Sequence, residues 1–184
     1  MKKFQIHIIA FISMFFWGMS YVWSKIVFEV YSPLTTIYFR LLISTIVLFL
    51  FVFATGKLEP IQKKDRWLFF GSAFLNPFLY FVGENYGLSL VSASLSSIIV
   101  TTIPLFAPFA AYYFFKERLK RVNIAGLIIS FGGLLLIIIN KDFGLNANPW
   151  GILLLFLAVF SAVFYIIVLK KLSVRYHPVT IIAW

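Results

Sequence analysis

The sequence predicts an all-α polytopic membrane protein. Three observations carry this. Of the residues, 62% are hydrophobic and only 12% charged, the apolar residues fall into six long runs, and the basic residues gather in alternate links between those runs. A soluble domain averages about 45–50% apolar and about 25% charged residues. A chain of 184 residues has no core large enough to hide the surplus from water. In hydrocarbon the backbone must satisfy its own polar groups, which leaves helices or closed barrels. The runs lack the alternation of a lipid-facing barrel strand, so they read as helices.

A span needs about 20 mostly apolar residues to cross about 30 Å of hydrocarbon. The six runs are Phe4–Ser24, Leu34–Ala54, Trp67–Gly83, Leu95–Phe115, Val122–Ile139 and Trp150–Leu169. Met1-Lys2-Lys3 ahead of the first run resembles a secretory leader. No small-residue cleavage site follows it, so the run reads as a retained span. The links carry the breakers Pro33, Gly56 with Pro60, Gly83 with Gly87, Gly144 with Pro149, and Pro178. Beyond Pro178 the chain holds about 10 Å of helix. That is too short to cross, so a seventh span is expected to start there and stop.

Charge sets the orientation. With the N-terminus in the cytoplasm, thirteen of the 16 basic residues are cytoplasmic. They form four clusters: Lys2 and Lys3; Lys57, Lys63, Lys64 and Arg66; Lys116, Arg118, Lys120 and Arg121; and Lys170, Lys171 and Arg175. Only Lys25 and Lys141 fall outside, and Arg40 lies within the second run. This is the positive-inside pattern of short loops, and it predicts a bacterial inner-membrane location. The net charge of +10 therefore orients the protein rather than binding nucleic acid, which needs a basic face on a soluble fold. With no cysteine and only His7 and His177, neither disulfides nor a zinc site are expected, and no cofactor is expected. The partners implied are the bilayer and a small-molecule substrate.

The stretch from Phe16 through Tyr21 to Pro33 is echoed from Phe160 through Tyr165 to Pro178. Five spans separate the copies, so the second sits upside down. Inverted repeats are typical of secondary transporters, whose substrates bind near the midplane where the repeats meet.

Several stretches, in order, resemble the EamA-type drug/metabolite transporter superfamily. FFWGMSYVWSK is similar to its first helix and YSPLTTIYFRLLIS to its second. NYGLSLVSASLSSIIVTTIPLFAPFAAYYFFKERL is similar to its third-to-fourth unit ending in Glu-Arg-Leu. IAGLIISFGGLLLI is similar to the Gly-rich fifth helix, and WGILLLFLAVFSAVFYIIVLKKL to the start of the second repeat. The resemblance implies ten helices in two inverted five-helix repeats and secondary transport of small metabolites, often export. On this reading residues 1–140 form the first repeat and residues 150–184 begin a truncated second one.

Polar side chains within spans usually face the protein interior, so stripes at helical spacing were sought. Trp17 and Ser20, with Tyr21 beside them, mark span 1, and Asn76 and Tyr80 mark span 3. Ser97, Thr101 and Pro104 mark span 4; Ser161 and Tyr165 mark span 6 at the places of Trp17 and Tyr21 in the repeat. Asn76 precedes Pro77, so a kink and a freed carbonyl are expected. Pro104 and Pro108 weaken span 4 in the same way. Trp17 is deep enough to stack on a flat substrate, or else fills space in the packing. The hydroxyls either face a ligand or bond their own i−4 carbonyls. Arg40 either pairs with Glu84 or Glu29, or meets an anionic substrate group through its planar fork. No Asp or Glu is expected near the middle of a span. Gly126-x-x-x-Ser130 permits close helix contact within the bundle or between two copies in a homodimer.

Two other functions compete with transport. A membrane enzyme would need acids, bases or nucleophiles gathered at one interface, and none gather here. An assembly partner that transports nothing would show a featureless interior, against which the polar stripes stand.

Overall fold

The computed structural model describes residues 3–56, 58–138 and 147–184. Lys2, Lys57, Lys141 and Gly144, which figure in the reading of charge and links, lie outside the described residues. So does the boundary expected between residues 140 and 150.

The described chain is helical. α1 is Lys3–Val27 and α2 is Pro33–Thr55. Ser32 caps α2, its hydroxyl accepting from Thr35 N at 3.2 Å, and Pro33 starts it with φ already helical. Gly56 ends it at φ 63°, where its N–H reaches Val52 O at 2.9 Å. A 3-10 turn at Lys63–Asp65 leads into α3, Arg66–Ala73. A π-helical stretch, Phe74–Leu79, joins α3 to α4, Tyr80–Leu90. Span 4 is two pieces, α5 at Ala93–Val100 and α6 at Ile103–Phe115, with Pro104 in the first turn of α6. α7 is Arg121–Ile138, α8 is Pro149–Leu172 and α9 is Pro178–Ala183.

Among the described residues four stretches are long and apolar enough to cross a membrane: Phe4–Val27, Pro33–Ala54, Ala93–Phe115 and Pro149–Leu172. The third run is apolar but is broken at Asn76–Pro77, and the fifth is a shorter apolar helix, Arg121–Leu136. α8 is the centre of the bundle. In its most apolar stretch 39% of residues are buried, against 6% in α1 and 11% in α2. The outer helices therefore offer Phe, Ile and Leu side chains outward, as lipid as solvent requires.

The third span does not end at Gly83. The helix runs on to Leu90, and Gly83 and Gly87 lie buried inside it, pressed against α8. They are contact glycines rather than link glycines. A Cβ on Gly83 would sit 2.6 Å from Leu154 O, and one on Gly87 would sit 2.7 Å from Leu155 Cγ. Gly151 answers from α8, where a Cβ would meet Val91 Cγ1 at 2.7 Å. Small residues one turn apart let the two backbones approach. The small-residue face of α7 behaves differently, since a Cβ at Gly126, Gly132 or Gly133 would meet nothing within 4 Å.

The links ahead of α3, after α6 and after α8 meet at one end of the bundle. Lys170 at the end of α8 pairs with Glu117 after α6. Arg175 pairs with Asp65 ahead of α3. At the other end Lys25 donates to Ser89 O at 3.3 Å.

Candidate functional site

Asn76 takes an extended conformation, φ −144° and ψ 115°, inside an otherwise helical span. The following proline favours this, because its ring disfavours helical geometry at the residue before it. Pro77 also brings no N–H to the ladder. The turn widens, and Leu75 O accepts from the Tyr80 N–H five residues on. The same oxygen accepts a second hydrogen bond, 2.5 Å, from Ser161 Oγ of α8. Leu75 O, beside the kink, is thus held both by its own helix and by a residue of the sixth span. Ser161→Ala is expected to lower stability by about 1 kcal/mol, read as the unfolding midpoint in detergent, because Leu75 O keeps its backbone partner.

Beside this kink lies a cavity of about 340 Å³ between α2, the broken third span, α8 and α9. Asn76 and Tyr165 face it with Ser44 and Thr45 of α2, and Leu48 and Trp184 are among its apolar walls. A mostly apolar chamber with one amide and a few hydroxyls suits a small amphipathic molecule. Ser44 and Thr45 escaped the sequence reading, although Ser44 follows Arg40 at one helical turn and the same search for stripes finds it.

A second polar cluster sits one turn further along the third span. Tyr80 OH donates to Glu84 Oε1 at 2.8 Å. Arg40 Nη1 lies 3.7 Å from Glu84 Oε2, and its guanidinium lies 4.4 Å from the centre of the Phe81 ring. Of the two acids offered as its partner, Arg40 therefore takes Glu84. Tyr21 is buried against the same two groups, yet its hydroxyl makes no hydrogen bond of good geometry. Glu84 is 4% exposed and lies within the helix that crosses the bundle. Glu84 thus lies toward the Leu90 end of the third span rather than near its middle. The run read from the sequence stops at Gly83, one residue short of Glu84. Its spacing of four from Tyr80 was the available signal.

The remaining candidates lie elsewhere. Trp17 packs on the core with its ring 6.3 Å from that of Tyr21, and Ser20 Oγ donates to Trp17 O at 2.6 Å. Ser97 Oγ donates to Ser94 O at 2.9 Å and Thr101 Oγ1 to Ile98 O at 2.8 Å. Both hydroxyls thus bond their own helix. Pro104 lines a separate cavity of about 560 Å³ between α6 and α8. The candidates thus form two polar groups, one around Asn76 and Tyr165 and one around Tyr80 and Arg40, with the span 4 residues apart from both. Among the described residues no group of three His, Cys, Asp or Glu could hold a metal ion.

A family model described as the EamA-like transporter family matches residues 5–139. An uncharacterized transporter of Bacillus subtilis, YdfC, is 32% identical over 176 residues, 95% of this chain and 56% of its own length. An uncharacterized transporter of Archaeoglobus fulgidus is 27% identical over 181 residues, 98% of this chain and 62% of its own. A WAT1-related chloroplastic protein of Arabidopsis thaliana, At3g02690, is 30% identical over 143 residues, 74% of this chain and 33% of its own. The chain thus spans about three fifths or less of each of these relatives. No solved structure matches.

Proposed function

We infer from one premise, that this chain belongs to the EamA-like transporter family, that it carries small metabolites such as amino acids or drug-like compounds across the bacterial inner membrane. The direction we propose is efflux, and the mechanism is alternating access between two inverted repeats. The cytoplasmic side is the end where Asp65, Glu117, Lys170 and Arg175 meet, which puts the N-terminus inside. The protein is multi-pass, and it is read as a carrier rather than an enzyme.

The observation that carries this reading is the cavity at the kink. Asn76 of one proposed repeat and Tyr165 of the other face the same chamber. Ser161 ties the two together through Leu75 O. A site shared by two repeats changes its access when they rock against each other. In the same reading a second copy seats on the uncovered glycine face of α7, so Gly126→Cys would cross-link between copies.

The test is flux in proteoliposomes, screened over radiolabelled amino acids and drug-like cations. At least one class is expected to move. Asn76→Ala and Tyr165→Phe should each lower that flux about tenfold, the equivalent of one well-placed hydrogen bond. Absence of flux for every class, in protein that keeps its helical spectrum and unfolding midpoint, would overturn the reading.

A further inference from the structure

We propose that Arg40 is an oxyanion-binding site whose occupant competes with Glu84, so that binding is coupled to uptake of a proton by Glu84. The proposal rests on the reading of the chain as a carrier, and it narrows the substrate to compounds bearing an ionised acid group.

Arg40 is half buried and faces two ways. Inward lies Glu84, at 3.7 Å, which is beyond hydrogen-bonding distance. A paired Arg and carboxylate normally close to a fork with two bonds. Here the carboxylate is turned to Tyr80 OH at 2.8 Å, so the guanidinium is held near it without being saturated. The face of Phe81 at 4.4 Å fixes the guanidinium plane. Outward lies a groove of about 450 Å³ between α1 and α2, lined by Val27, Tyr31, Thr35, Thr36, Phe39 and Arg40. It opens at the N-terminal end of α2, where the helix dipole is positive. A planar fork, the positive end of a 23-residue helix and apolar walls favour an anion with an apolar body.

The inner side accounts for the proton. The groups that face Glu84 are Tyr21 from α1, Arg40 from α2 and Tyr80 from its own helix. Lys25, one turn further along α1, is held on Ser89 O at 3.3 Å. α5 contains no titratable residue, and α8 meets this turn of α4 with Leu154 and Ala158. Arg40 is therefore the one cation set against Glu84 among the described residues. When an incoming oxyanion takes the guanidinium, a buried carboxylate is left with two phenols and no countercharge. That arrangement is costly, and taking a proton from the aqueous phase removes the charge. The Tyr80 and Tyr21 hydroxyls can accept from the acid as readily as donate to the anion. The step adds one proton to Glu84 and breaks no covalent bond.

The test is equilibrium binding of radiolabelled benzenesulfonate to the whole chain in nanodiscs of zwitterionic phosphatidylcholine. This probe stays ionised throughout, so any pH dependence belongs to the protein. Binding is expected to tighten as pH falls. Arg40→Gln should weaken it about tenfold or more. Glu84→Gln, which keeps the side chain's shape, should tighten it about tenfold at neutral pH and flatten the pH dependence. A second arm adds phosphatidylglycerol to the bilayer. If that lipid competes with benzenesulfonate in the native chain but not in Arg40→Gln, the oxyanion site stands and a headgroup phosphate is its occupant. Binding unchanged in Arg40→Gln, or a pH dependence retained in Glu84→Gln, would overturn the proposal. Failure here leaves the flux experiment untouched, because that experiment reads movement through the chamber at Asn76 and Tyr165.

Discussion

Gly83→Val is expected to destabilise the bundle by about 3 kcal/mol or more, read as a fall in the unfolding midpoint of the protein in detergent. A Cβ at this position already falls 2.6 Å from Leu154 O, a backbone atom, and 3.0 Å from Ala158 N. Neither can swing aside as a side chain can. Two branched methyls add to that clash, so α4 and α8 must move apart. Their separation uncovers Leu88, Leu155 and Val159 at the centre of the core. Gly87→Ala should cost less, because it adds a single methyl, although that methyl falls 2.7 Å from Leu155 Cγ and 3.0 Å from Gly151 O. Gly18→Ala supplies the control. Its Cβ meets nothing within 4 Å, so the substitution should stabilise slightly, by about 0.5 kcal/mol, through the better helix propensity of alanine.

Asp65→Ala is expected to cost about 2–3 kcal/mol and to loosen the end of the bundle where Asp65 meets Arg175. Asp65 is 1% exposed, and its carboxylate accepts from Arg175 Nη1 and, at 2.9 Å, from Tyr176 OH. Tyr176 OH in turn accepts from Gln62 N at 3.1 Å. Glu59 continues the join, accepting from His177 N at 2.9 Å while its own N–H donates to Thr180 Oγ1 at 3.1 Å. These bonds pin the link before α3 to the corner between α8 and α9, beside the chamber that holds Asn76 and Tyr165. Without the carboxylate, Tyr176 OH is left buried with no acceptor, whereas Arg175 is half exposed and rehydrates. The expected sign is faster maleimide labelling of a cysteine placed at Ile182, which lines the chamber. Asp65→Asn should fall between the two, because it keeps the shape and one acceptor but not the charge.

Much of this architecture was legible in the sequence because the solvent enforces it. Apolar runs of span length, Pro33 and Pro149 at helix starts and a Pro-induced break at Asn76 follow from local chemistry alone, and each is where the residues place it. Gly83 and Gly87 were not legible in the same way. A glycine pair serves equally as a link or as a close contact, and only Leu154, Leu155 and Ala158 opposite decide between them. The stripe of Ser97 and Thr101 shows a different limit. Helical spacing fixes which face a hydroxyl occupies, but a hydroxyl can bond the carbonyl behind it, and both do. The partnership of Ser161 with Leu75 O joins residues 86 positions apart, and no local pattern encodes it.

Everything above requires the apolar helices to cross the bilayer in alternation, with the basic links on one side. The chain contains no cysteine, so single cysteines can be read without background. The most direct measurement is labelling of Glu29→Cys and Lys120→Cys with a membrane-impermeant maleimide, in intact cells and after permeabilisation. Glu29→Cys is expected to react in intact cells, and Lys120→Cys only once the membrane is opened. Labelling of Lys120→Cys from outside intact cells would contradict that arrangement.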